Sequence, residues 1–299
     1  MKKILAISLA VLMLVFSMTA CGKKNTEFVA TDATDLLQED FGIAVQKGNT
    51  KLLAAVNKVI DEWVSNGTME KYVNYYTDLA DFEAGVEGAV EPDKGELVTT
   101  WDFGNATESI TVYTESGFAP FEFVSNGKVI GVDIAIMSQV AVNEGKKLNV
   151  QDVVFDTIPT CVEQASGDAV GAAGMTITDD RKQTVDFSNI YYSSTLVIVS
   201  AKDNPISSVK DLGGLKVAVQ EGTSGDLIIS DAITANGYKY VTTNDNDEEV
   251  EVVVKAEGDT QVARYKQYAL AFEDLKSGRV DAILMDKLPA NTMLSIAGK

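Results

Sequence analysis

The sequence predicts an α/β protein, and three observations carry that prediction. Short apolar, β-branched runs alternate with amphipathic helical patterns from residue 110 to the end of the chain. Glycines and capping residues mark the boundaries between them. The strand-like runs are apolar almost throughout, as in strands covered by helices on both faces of a parallel sheet.

In chain order, residues 41–46 read as a short strand. Asn49 caps a helix whose apolar positions Leu52, Leu53, Val56, Val59, Ile60 and Trp63 recur every three or four residues. Gly67 stops it, and Thr68 opens a shorter helix through Met69, Tyr72, Val73 and Tyr76. Residues 77–109 have scattered Gly, Asp and Glu with no period and read as a long surface connection. A strand follows over 110–114, then a hairpin over 122–131 turning at Asn126-Gly127. Asp133 is expected to cap a helix running to about residue 144, which Gly145 ends. Beyond it come strand 150–155, helix 158–166, strand 169–173, strands 195–200 and 215–219, and helix 224–235. Residues 238–258 suggest an extra hairpin. Helix 260–277, strand 280–284 and a helix after Leu288 close the chain.

Composition narrows the function. With 45% apolar and 23% charged residues, a chain of 299 residues can bury a full core. The 25 Lys+Arg against 44 Asp+Glu leave a net charge of −19, which repels phosphate backbones and argues against nucleic-acid binding. The absence of histidine removes Ser-His and Cys-His catalysis and imidazole metal sites. No catalytic group, metal or cofactor is expected. At the start, Lys2 and Lys3 precede the apolar run 4–16, and small residues lead to Cys21, the pattern of a secretory signal peptide over 1–20. Ser17-Met18-Thr19-Ala20-Cys21 resembles a lipobox, with Met18 where Leu is usual. Cys21 is then the lipidation site and 21–25 a tether to the extracytoplasmic face of the cell membrane. Cys161 is left without a partner and reads as a small hydrophobe in a helix.

Several segments then resemble one family, the amino-acid-binding lipoproteins of ABC importers, the family 3 extracellular solute-binding proteins. They are 114–123 (Thr-Glu-Ser-Gly-Phe-Ala-Pro-Phe-Glu-Phe), 131–134 (Gly-Val-Asp-Ile), 173–181 (Ala-Gly-Met-Thr-Ile-Thr-Asp-Asp-Arg), 186–188 (Asp-Phe-Ser), 219–225 (Val-Gln-Glu-Gly-Thr-Ser-Gly) and 281–286 (Asp-Ala-Ile-Leu-Met-Asp). The resemblance implies a two-lobed, periplasmic-binding-protein-like (type II) fold with two interlobe hinge strands. The family's closing strand, Gly-Asn turn and helix pair stand here at 38–76, ahead of its opening strand. The simplest account is a circular permutation, with 77–109 joining old end to old beginning. The rival is a truncated chain with an unrelated helix pair in front. Under permutation, 40–47 and 195–202 are the hinge strands, 48–194 is lobe one, and 26–39 with 203–299 is lobe two.

The same resemblance implies a ligand site. Arg181 would hold the ligand carboxylate through its planar guanidinium, with Gly174 and Thr176 beside it in the motif. Thr223, in a glycine turn that leaves backbone N–H groups free at a helix start, would reach the carboxylate from the other lobe. Asp286 is the candidate for the ammonium and Asp281 reads as structural. Phe118 and Phe155 match the aromatic walls, Phe155 with core packing as an equal alternative. Glu115 stands where an acidic group meets the far end of the ligand side chain and points to a polar or cationic amino acid. The implied role is capture of that amino acid for the permease subunits of an ABC importer. The alternatives are a dehydratase-like enzyme on the same fold and a ligand sensor for a membrane partner.

Overall fold

The computed structural model describes residues 26–36, 38–243 and 247–297. The expected signal peptide, the tether and Cys21 lie outside the described residues. The chain runs β1 (Phe28–Asp32), β2 (Glu39–Phe41), β3 (Ala44–Gln46), α1 (Thr50–Ser65) and α2 (Thr68–Glu83). After a connection come β4 (Ser109–Thr114), β5 (Gly117–Phe118), β6 (Glu122–Ser125), β7 (Lys128–Ile130), α3 (Val132–Asn143), β8 (Lys147–Asp152), α4 (Ile158–Gln164) and β9 (Ala169–Gly171). Next are α5 (Arg181–Thr184), β10 (Val185–Phe187), β11 (Tyr192–Ser194), β12 (Leu196–Ala201), β13 (Lys216–Gln220) and α6 (Ser224–Ala232). The chain ends with β14 (Tyr238–Thr243), β15 (Glu249–Val254), β16 (Gln261–Tyr265), α7 (Tyr268–Lys276), β17 (Ala282–Asp286) and α8 (Lys287–Ala297).

The fold is α/β with two lobes, each built on a five-stranded sheet. One sheet has the order β10-β3-β9-β4-β8 and the other β1-β12-β17-β13-β16. A short antiparallel ladder joins the lobes, pairing Glu39 with Ser194 and Phe41 with Tyr192. Neither sheet is purely parallel. β4 runs parallel to β8 and β9, and β13 to β16 and β17, but β3, β10, β12 and β1 enter antiparallel. Strand alternation divides the second sheet's faces. Val197, Val199, Ile283 and Met285 join the larger apolar cluster, while Ile198, Val217, Val219 and Leu284 pack with Ile228, Ile229 and Val254 on the other side.

The segment ahead of residue 109 is integral to this architecture. β3 sits between β10 and β9 in the first sheet. Asn49 Oδ1 accepts from Leu52 N at 3.1 Å and caps α1, worth ~1 kcal/mol, and its Nδ2 donates to Asp168. Leu52, Val56, Val59, Ile60 and Trp63 are buried in the cluster that also holds Ile110, Val112 and the α3 residues Ile136 and Met137. Trp63 stacks on Tyr72 with ring centroids 4.5 Å apart.

Several elements differ from expectation, each for a local reason. The strand expected over 41–46 is two strands, because Gly42 N turns to Met175 O and the backbone changes partners between the ladder and the first sheet. The second helix runs on through Glu83, so the connection is 84–108, and it is docked: Tyr72 donates to Val98 O, and Leu97, Trp101 and Phe103 pack on the core. Asp133 does not cap α3. Gly131 holds that position, and Asp133 is buried in the first turn, accepting from Gly174 N. The strand expected over 150–155 is β8, and Phe155 opens a 3-10 turn over Phe155–Thr157. Residues 261–265 are the strand β16 at the sheet edge, paired in parallel with β13, rather than the start of a helix. β17 extends to Asp286, two residues beyond the strand expected over 280–284. Cys161 is half-buried and unpaired in α4. Asp281 accepts from Lys216 N, a structural bond.

Gly131 has φ +132°, and a Cβ there would lie 2.2 Å from Phe121 O, so the turn between β7 and α3 has no room for a side chain. Gly131→Ala is expected to lower the unfolding free energy by more than ~2 kcal/mol in urea titrations. A change under about 0.5 kcal/mol would show that the turn relaxes freely.

Candidate functional site

A narrow cavity with room for about one water molecule lies between the lobes. Its wall includes all eight residues singled out from the sequence: Glu115, Phe118, Phe155, Gly174, Thr176, Arg181, Thr223 and Asp286. Glu122, Ala173, Gln220 and Ser224 complete it.

Arg181 stands at the start of α5, buried, with its guanidinium carbon 5.3 Å from the Phe155 ring centroid. Nη1 donates to Thr176 O at 2.6 Å and Nη2 to Gly222 O, in the other lobe, at 2.9 Å. Burial pulls its pKa down to about 10, while Glu39 and Asp286 act in the opposite direction. Arg181 therefore remains a cation at neutral pH. Its packing places Phe155 on the cavity wall rather than wholly in the core.

Beside it, Gly174 has φ +54°, and a Cβ there would fall 2.6 Å from the Phe118 ring, so only glycine lets that ring close over the backbone. Phe118 stacks on Phe121 and on Tyr268 of the other lobe, at 5.8 Å and 6.2 Å between centroids. Aromatic walls exclude water and strengthen the charge pairs they enclose.

The turn before α6 is more fully used than expected. Thr223 Oγ1 accepts from Asp226 N and donates to Gln220 O, Gly222 N donates to Asp226 Oδ2, and Thr223 N donates to Gln220 O. These three N–H groups are engaged within the turn, which leaves the anion contact expected here to those of Ser224 and Gly225 at the start of α6.

The remaining wall is acidic. Asp286, at the end of β17, accepts from Ser194 Oγ at 2.6 Å; burial and then the nearby Glu39 charge push its pKa well above the usual range. Glu115 accepts from Gln220 Nε2 and Gln267 Nε2, both at 2.9 Å and both from the other lobe. Burial raises its pKa, against the two amides. Glu122 is fully buried, and among the described residues neither of its oxygens has a hydrogen-bond partner. Burial, then Asp133, Glu115 and Asp286, push its pKa well above the ordinary value. Burial also lifts Asp133 to about 7. Buried carboxyl oxygens left unpaired are costly, and the cost is least for the neutral acid that burial favours at Glu122.

Sequence reasoning passed over Glu122, Gln220, Ser224, Tyr268 and Glu39. Glu122 had a signal, a carboxylate between Phe121 and Phe123 in an apolar stretch. Gln220 and Ser224 stood inside the quoted segment 219–225, while Glu39 and Tyr268 carried no signal, because their roles arise from contacts between lobes distant in sequence.

A sequence profile of the bacterial extracellular solute-binding proteins, family 3, matches residues 110–284. The chain is 38% identical over 110 residues to the arginine-binding extracellular protein ArtP of Bacillus subtilis, a stretch covering 37% of this chain and 43% of that relative's length. A solved ancestral arginine-binding protein bound to arginine superposes with a TM-score of 0.53 at 32% identity, covering 64% of this chain and 75% of that one. The ancestral amino acid-binding protein AncCDT-1, a precursor of cyclohexadienyl dehydratase, matches with a TM-score of 0.52 at 28% identity over 63% of this chain and 74% of its own.

The acid cluster has a consequence for stability. Glu39, Glu122, Asp133 and Asp286 hold protons more tightly when folded than an ordinary carboxyl does. As pH rises above ~4 the unfolded chain ionises first, so stability falls until the folded groups ionise, near about 7 for Asp133. A group carried that far costs on the order of 4 kcal/mol across the window. Asp168 and Asp274, whose pKa values are lowered, add stability only as pH climbs through the acid range up to ~4. The melting temperature of ligand-free protein is expected to fall between about pH 5 and 7, and Asp133→Asn to flatten that fall. Parallel curves for the two proteins would remove Asp133 as a source.

Proposed function

The chain belongs to the bacterial extracellular solute-binding proteins, family 3, and from that membership we propose that it captures a free amino acid with a cationic side chain between its lobes and delivers it to the permease of an ABC importer. The observation that carries the cationic reading is the unpaired Glu122 on a cavity wall shared with Glu115 and Asp286, against one guanidinium. A neutral amino acid leaves these acids in the protonated form that burial favours; a cationic side chain stabilises their ionised form and supplies donors that Glu122 lacks. Arg181 takes the ligand carboxylate, exchanging its carbonyl contacts for a charged acceptor, and Asp286 takes the ammonium. Phe118 and Phe155 flank the side chain, whose end lies toward Glu115 and Glu122. Because Arg181 and Asp286 come from different lobes, a bound zwitterion favours closure. The arginine-binding relatives agree with this reading.

No chemistry is performed on the ligand in this reading. The solved relative described as a precursor of a dehydratase is itself an amino acid-binding protein, and product analysis after incubation with amino acids separates the alternatives. Two finer points complete the proposal. Acylation of Cys21 anchors the chain on the extracytoplasmic face, and the chain order is a circular permutation of the family's. The interior place of β3 and the packing of α1 on α3 support the second point, as does the 25% of the arginine-bound structure left unmatched. A rearranged chain opened within 84–108 and linked from 297 to 26 is expected to fold and bind; an unfolded product would count against permutation.

Three outcomes test the proposal. Arg181→Ala and Asp286→Ala should each weaken amino-acid binding in calorimetry by roughly 2–5 kcal/mol, about thirty- to several-thousand-fold. Glu122→Gln should weaken arginine or lysine more than glutamine, and equal losses would sink the cationic reading. Cys21→Ser should move the protein from the membrane to the soluble fraction, since no described helix is long and apolar enough to span a membrane.

A further inference from the structure

We propose that Glu39 is a latch between the lobes, a positioning residue that closes the cavity on its hinge side and slows ligand escape. Glu39 lies on β2, in the ladder that joins the lobes, and is buried. Its oxygen Oε2 accepts from Thr176 Oγ1 of one lobe at 3.1 Å and from Ser224 Oγ of the other at 2.7 Å. One carboxylate oxygen thus ties the two lobes at a point neither sheet reaches.

The bridge is also a partition. Thr176 and Ser224 line the amino-acid cavity, and they line a second, open groove beside the hinge whose wall includes Glu39, Lys182 and Lys239. Glu39 is not on the cavity wall, so it acts through its partners. A hydroxyl has one proton. While Thr176 and Ser224 give theirs to Glu39, each turns only lone pairs toward the cavity, suited to an ammonium and not to a carboxylate. That leaves Arg181 as the charged donor for the ligand carboxylate. Glu39 also faces Arg181 and Asp286, so it shares the guanidinium's charge in the closed state. Glu115 uses the same device on the cavity wall itself, through Gln220 and Gln267.

The retention arm rests on the amino-acid reading, while the lobe distance in ligand-free protein stands apart from it. Spin labels at Lys182 and Lys239, both exposed on the groove, report that distance in a background lacking both cysteines. Glu39→Ala is expected to lengthen and broaden the distance distribution. Glu39→Gln, whose amide oxygen can still accept both hydroxyls, should keep the wild-type distribution, and Ser224→Ala, which removes one leg, should fall between. With arginine as the probe, stopped-flow fluorescence should show dissociation about ten-fold faster or more in Glu39→Ala, with little change in association. A Glu39→Ala distribution matching wild type, a Glu39→Gln distribution as wide as that of Glu39→Ala, or unchanged dissociation of bound arginine would overturn the latch. Failure of arginine to bind the wild type would overturn the amino-acid reading and leave the distances to decide the latch.

Discussion

A guanidinium buried between two lobes sets the terms for everything around it. Arg181 is almost fully removed from water, and a cation in that position persists only with hydrogen-bond acceptors and counter-charge near it. The chain meets both demands with parts drawn from far apart: carbonyls of Thr176 and Gly222, the ring of Phe155, and the charges of Glu39 and Asp286. Because Gly222 belongs to the other lobe, satisfying this one side chain brings the lobes together. The positive φ of Gly174 and the dense aromatic wall follow, since the backbone of this motif has to run close beneath Phe118.

Carboxyl groups, however, outnumber the one guanidinium: Glu39 and Asp286 act on Arg181, Glu115, Glu122 and Asp133 stand near them, and burial favours the neutral form of each. Packing alone does not require that surplus, because an apolar side chain of similar volume would fill the place of Glu122 without leaving two oxygens unpaired. The surplus destabilises the empty protein and favours a ligand carrying more positive than negative charge. Folding and binding pull in opposite directions here, as they do wherever a site is preorganised for a charge that arrives later.

Much of this was legible in the sequence, and the boundary of what was legible is physical. Helix α1 could be read from its Asn49 cap and its three-and-four spacing, and the hairpin at Asn126-Gly127 from turn chemistry, because both depend on neighbours in the chain. The site residues were found through short motifs whose order resembles a family, and the structure brings all eight to one cavity. The misread segments depend on distant partners. β16 is a strand because β13 offers it a parallel edge, 41–46 breaks because its hydrogen bonds go to different sheets, and Asp133 is buried because Gly174 needs an acceptor. Glu39 looked like the ordinary polar lead-in to a strand, and nothing near it in sequence shows that Thr176 and Ser224 converge on it.

Those long-range contacts bear on how closure works. The bonds from Arg181 to Gly222 and from Gln220 and Gln267 to Glu115 cross the cleft between side chains and backbone of the protein itself, as does the Lys266–Asp156 ion pair at 3.8 Å. Contacts of this kind favour the closed form whether or not a ligand is inside, and so raise its population in the free protein. A ligand then shifts the equilibrium only by what it adds to the closed form beyond them. For Arg181 that addition is the exchange of neutral carbonyl acceptors for a carboxylate, and for Glu122 it is the gain of any donor at all. The two groups with most to gain are thus a cation and a carboxyl on the same wall, and in the reading proposed above a zwitterion with one further positive charge serves both at once.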